Sequence, residues 1–368
     1  MKMKYLLLSF LFLFFLSELS ALPRFSLRGG GGDCMGCHVN PTGGVLRNRS
    51  GWSFGKNVIP MISPSDDFKM SNRIGDNIQI GMDLRGQTLL MMTPDRKRID
   101  FQRMSGSIYT GLALSENINV VTRYDFVQQI WEAYGVLHIL PNNSYIKGGV
   151  FQPNYGIRLD DHTAYTRGGD MGLLSNSVAG LIYDPFHTQS GVEAGFYFGE
   201  EFVLLTLSAG SPPGPLFRDD PVYTASLKLQ PSIGDDAAMF AGASYTTFRR
   251  SPTMPVVNMY GGYAGFGIGN FTLMGEYDMA SDYAAIDTET SALMIEAAYR
   301  IIKGLEAVVR LDRFDPVTDV EEDELTRVVI GFEIFPYSFI EIRPQYRIQM
   351  EEPSVDNDSA VIQFHIWY

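Results

Sequence analysis

The sequence predicts an all-β transmembrane barrel of about 16 antiparallel strands, within a range of roughly 14 to 18, behind a small irregular N-terminal segment. Three observations predict it. From residue 74 to the last, the chain runs in strand-length stretches that alternate apolar and polar residues. The connections between them alternate between tight turns and longer polar loops. The final stretch sets Ala360, Ile362, Phe364, Ile366 and Tyr368 on one unbroken apolar face that ends in an aromatic residue.

Composition agrees: 24 Phe, 19 Tyr and 37 Gly with 19% charged residues suit strands and turns better than charged helices. The net charge of -13 excludes nucleic acid as a partner, because a phosphate backbone requires a basic face.

In chain order, Lys2 and Lys4 precede an apolar run from Leu6 to Leu16 and the small residues Ser20 and Ala21. This is the pattern of a secretory signal peptide over 1–21, cleaved after Ala21. The run is shorter than the roughly 20 apolar residues of a membrane anchor. Residues 22–73 are irregular, with a glycine tract from Gly29 to Gly32, and read as a small tethered module on the periplasmic side. Residues 74–368 are the barrel.

Alternation is plain in three stretches. Phe271, Leu273, Tyr277 and Met279 oppose Thr272, Glu276 and Asp278; Leu305, Ala307, Val309 and Leu311 oppose Glu306, Arg310 and Asp312; Ile340, Ile342, Tyr346 and Ile348 oppose Glu341, Arg343 and Arg347. The charges fall on one face, as a wet lumen requires, and such runs reach the roughly 9–11 residues that cross a bilayer at a tilt. Tight connections at Glu116-Asn117, Asn142-Asn143, Lys303-Gly304 and Pro336-Tyr337 read as periplasmic turns; the longer ones read as external loops. With both termini periplasmic the strand count is even. Counting from the C-terminus by turn type gives eleven strands and from the front five, so residues 153–189 form one long external or infolded excursion.

The two cysteines lie in Cys34-Met35-Gly36-Cys37-His38. Two thiols separated by two residues and followed by His form the attachment signature of c-type haem: Cys34 and Cys37 take the porphyrin vinyl groups as thioethers and His38 is the proximal iron ligand. The competing readings are a structural disulfide, a thioredoxin-like redox pair, which requires a βαβ setting, and half of a zinc site, which requires two more clustered ligands. Candidates for the sixth iron ligand are Met61, Met70 and His365, the last of which shares the lumen face with Gln363 and Trp367 near the periplasmic rim.

The segment Cys-Met-Gly-Cys-His-Val-Asn-Pro-Thr-Gly-Gly (34–44), followed by Gly51-Trp52-Ser53-Phe54-Gly55, resembles the N-terminal part of monohaem cytochrome c proteins fused to a porin-like outer-membrane barrel. Leu311 to Pro316 is similar to a strand end common in porins, and the C-terminal stretch resembles the closing strand read by the barrel assembly machinery. The resemblance implies an outer-membrane redox protein that works with periplasmic or extracellular cytochromes. Electron transfer at or across the outer membrane is thus the first expectation, although one haem cannot bridge an apolar band about 25 Å tall. The alternative is a porin in which the haem segment is a plug, sensor or accessory, as a single barrel or a homo-oligomer. Haem catalysis is not expected, because no distal His and Arg pair accompanies the motif.

Overall fold

The computed structural model describes residues 23–28, 33–65, 69–92, 97–159, 161, 163–169, 180–181, 183, 186–199, 201–212, 220–231, 233, 237–351, 354 and 357–368. The predicted signal peptide and the 29–32 glycine tract lie outside the described residues. No helix among those described is long and apolar enough to cross a membrane.

A strand places alternate side chains on opposite faces, and a sheet with a lipid-facing side must close on itself, since an open edge in hydrocarbon leaves backbone groups unpaired. The chain does this with sixteen strands. They are β1 Ile78–Met92, β2 Lys97–Ser115, β3 Ile118–Asp125, β4 Ile130–Leu137, β5 Tyr145–Phe151, β6 Gln189–Phe198, β7 Val203–Ser211 and β8 Val222–Leu229. They continue as β9 Ala237–Arg249, β10 Val256–Ile268, β11 Phe271–Ser281, β12 Glu289–Ile302, β13 Leu305–Asp315, β14 Leu325–Ile334, β15 Ile340–Glu351 and β16 Ser359–Trp367. Each strand pairs antiparallel with its sequence neighbours, and β16 pairs with β1 from Ser359↔Met91 to Trp367↔Asp83 to close the ring. The expected count and the division into five strands before the excursion and eleven after it both hold. A two-residue strand, Arg73–Ile74, pairs onto the start of β1.

The faces fall as the alternation requires. On β11, Thr272, Met274, Glu276 and Asp278 point into the lumen, whereas Tyr277 is outside and 45% exposed. The tight turns use the residues that reach left-handed backbone: Asn142 and Asn143 both have positive φ, as does Gly304.

The excursion between β5 and β6 folds inward. Tyr155 stacks on Tyr183 with ring centroids 4.7 Å apart, the Tyr155 hydroxyl donates to Asp278 at 2.9 Å, and Arg167 meets Glu276 at 2.6 Å. Asp161 pairs with Arg310 at 2.7 Å. Arg167 and Asp161, the buried charges among the described residues of the excursion, thus each meet an opposite charge on the wall, without which burial would be prohibitive. At Gly156, with φ +57°, a Cβ would overlap the Glu276 carboxylate. Gly156→Ala should therefore destabilise the excursion by about 1–3 kcal/mol, seen as faster backbone hydrogen exchange over 155–167 with the strands unchanged.

Candidate functional site

The N-terminal segment forms helix α1 (Pro23–Arg28), a turn over the cysteines and helix α2 (Arg49–Asn57). It does not hang from the barrel as a tethered module, as its composition suggested; it lies inside the short-turn mouth and touches the wall around the circumference. The physical reason lies in residues without local periodicity that find partners far along the chain. Arg24, 4% exposed, meets Glu296 of β12 at 3.0 Å, Glu306 of β13 at 3.5 Å and Glu333 of β14. Arg28 grips Glu306 with both terminal nitrogens. Leu27 packs against Phe240 and Tyr263 of β9 and β10, and on the far side Leu46 packs over Gly111 of β2, where a Cβ would overlap it. Lys147 of β5, paired with Glu193 of β6 at 2.7 Å, reaches the Asn40 side chain at 3.5 Å.

The cysteine turn is fixed by its own backbone. The amides of Cys37 and His38 both donate to the Cys34 carbonyl, at 3.2 and 2.9 Å. The chain then doubles back: Val39 N–H donates to Leu46 O at 3.1 Å and His38 bridges to Arg47. Asn48 caps α2 by accepting from Gly51 N–H at 2.9 Å, while its amide donates to Met35 O at 2.7 Å, which ties the helix to the turn. The pattern Gly51-Trp52-Ser53-Phe54-Gly55 acquires a physical meaning here. Gly51 lies so close to the Cys37 carbonyl that a Cβ would overlap it, and Gly55, one turn on, lies against Phe339 and Trp367. Trp52 and Phe54 enter an aromatic cluster with Phe25, Phe335, Phe339 and Trp367.

Cys34 is half-buried and Cys37 is 1% exposed; they are not joined to each other. Burial pushes the Cys34 thiol up, with Lys228 and Arg158 pulling the other way, and pushes the Cys37 thiol up to about 12. A thiol raised from 9 to about 12 has about a thousandfold less thiolate at neutral pH. In protein made without haem attachment, iodoacetamide should therefore label Cys37 about a thousandfold more slowly in the folded chain than in urea; equal rates would show that the thiol is not enclosed. Cys34 opens on a cleft of about 510 Å³, counted with the solvent it meets, between the N-terminal segment and the infolded excursion; Arg158, Lys228 and Tyr263 line it too. Two unjoined thiols three positions apart and the imidazole next in sequence are the donor set of a c-type haem, in which Cys34 and Cys37 would hold the porphyrin and His38 the iron; of the three, Cys34 alone lines the cleft.

The three sixth-ligand candidates sit in different surroundings. Met61 lies at the rim, where its N–H donates to Phe335 O at 2.8 Å, and Met70 packs on the aromatic cluster. His365 differs most from expectation. Its Nδ1 lies 2.8 Å from Glu341 and its Nε2 2.7 Å from Asp83, so both ring nitrogens are engaged with wall carboxylates, and Arg85 stands beside the ring at 3.3 Å. His365 thus links β1, β15 and β16 and lines one pocket with Arg47, Gly51 and Trp367.

The sequence matches no protein-family model and no curated protein. Solved structures are similar in fold. OmpF of Salmonella typhi, in complex with daunomycin, superposes with a TM-score of 0.57 at 11% identity, covering 80% of this chain and 98% of that one. OprB of Pseudomonas putida gives 0.58 at 9% identity over 79% and 94%, and the anion-selective porin of Comamonas acidovorans 0.55 at 8% over 79% and 98%. At these identities the likeness is one of fold: a porin-like outer-membrane β-barrel.

Proposed function

We propose that this chain is an outer-membrane porin whose N-terminal segment is a haem-bearing plug in the periplasmic mouth. The observation that carries this reading is the seating of α1 and the cysteine turn within the lumen, held by Arg24 and Arg28 on Glu296, Glu306 and Glu333. The infolded excursion narrows the same lumen further along. Solute passage then depends on where the plug sits. In planar bilayers the native chain should conduct weakly, and Arg24→Ala combined with Arg28→Ala should raise the conductance severalfold. Equal conductance in the two proteins overturns the plug.

Electron transfer is the second reading, favoured by the Cys34, Cys37 and His38 turn at the short-turn mouth. A c-type haem bound there supplies one-electron chemistry. The chain's part would be to hold the iron through His38, shield it beneath α2 and the excursion, and leave the short-turn side to a periplasmic cytochrome. Reversible reduction of a haem found by mass on the Cys34 peptide supports this reading, and a Cys34–Cys37 disulfide in the native protein overturns it.

A further inference from the structure

A second cleft, of about 490 Å³, lies where α1 and α2 meet the ends of β12, β13 and β14. One wall is apolar, with Phe25, Phe54 and Phe335; the other carries Arg28, Arg300, Lys303 and Glu306. The charges do not balance. Glu306 already serves both Arg24 and Arg28, at 3.5 and 3.0 Å. The Arg300 guanidinium donates to the Asn270 side chain at 3.0 Å, and Lys303 to Asn57 O at 2.9 Å and the Ser63 hydroxyl at 3.2 Å, so among the described residues neither is shown meeting a carboxylate. Arg28 is 6% exposed and its Nε has no hydrogen-bond partner, although a buried N–H donor is costly to leave unmade.

We propose that this cleft binds an anion carried on an apolar body, with its carboxylate or phosphate head among Arg300, Lys303 and the free Nε of Arg28 and its apolar part against Phe25, Phe54 and Phe335. Burial lowers the Arg28 pKa, and Arg24 and Arg300 add to the effect against the pull of Glu306; an added negative charge would relieve it. The site is separate from the cleft beside Cys34 and requires nothing to be bound there. The ligand's source is either a lipid, through its acyl chain and headgroup, or a soluble periplasmic anion.

Equilibrium dialysis of the full chain in a neutral maltoside detergent tests this with two probes, octanoate and inorganic phosphate. Saturable octanoate binding that weakens at least about tenfold in Arg300→Gln combined with Lys303→Gln is the expected result, since each charge-assisted bond contributes about 1.5–3 kcal/mol. Octanoate binding that phosphate does not displace identifies a lipid-like ligand; displacement by phosphate identifies a soluble anion. Equal affinity in the double variant, or no saturable binding of either probe, overturns the site, and phosphate binding without octanoate binding overturns its apolar half.

Discussion

Arg24→Ala should free the N-terminal segment from the lumen while leaving the barrel closed. A single guanidinium faces Glu296, Glu306 and Glu333, and all four side chains are nearly enclosed. Removing the cation takes from Glu296 the guanidinium it meets and leaves Glu306 to Arg28 and Glu333 to Arg343, three carboxylates sharing one cation fewer in a largely enclosed site. Breaking a buried charge network from one side costs about 3–5 kcal/mol, more than so short a helix regains from packing Phe25 and Leu27. Trypsin should then cut at Arg47, Arg49 and Lys56 in folded Arg24→Ala while the barrel keeps its heat-modifiable migration on gels. Adding Glu333→Gln should restore part of the protection. Wild-type resistance in Arg24→Ala would mean that the aromatic cluster alone holds the segment.

The second large effect concerns the thiols. On the proposed haem-bearing reading, Cys34→Ser with Cys37→Ser should abolish covalent haem altogether, because no other cysteine exists in the chain and thioethers would have nowhere else to form. The barrel should still assemble, since neither thiol belongs to a strand. A pyridine haemochrome spectrum and the mass of the tryptic 29–47 peptide read the first outcome, and circular dichroism reads the second. Covalent haem retained by the double variant would show attachment by another chemistry.

Much of the fold is legible because a barrel is periodic. Thr272, Glu276 and Asp278 stand opposite Tyr277 both in the sequence and in the wall, and the excursion shows itself through the parity of strands. The placement of the cysteine segment is not legible in the same way. Arg24 carries no period, and its partners lie 272 and 309 residues away, neighbours only once the ring is closed. Alternation did place Glu306, Glu341 and His365 on the lumen face. It could not show that Asp83 arrives beside His365, because that contact exists only where the last strand meets the first. Glycines 51 and 55 stood in the motif from the start, but their reason, close approach to Cys37 and Trp367, belongs to packing.

The ring and its contents together impose an order on events. The seam joins the first strand to the last, so the wall is complete only when residues 359–367 have arrived. In the closed ring the segment at the front of the chain lies within the wall, with Cys37 sealed beneath α2. An enzyme that forms thioethers needs the thiols in the open. Were the cysteine turn to carry haem as proposed, attachment at Cys37 would have to precede the seating of the segment beneath α2, and a chain whose segment seats first would stay unmodified.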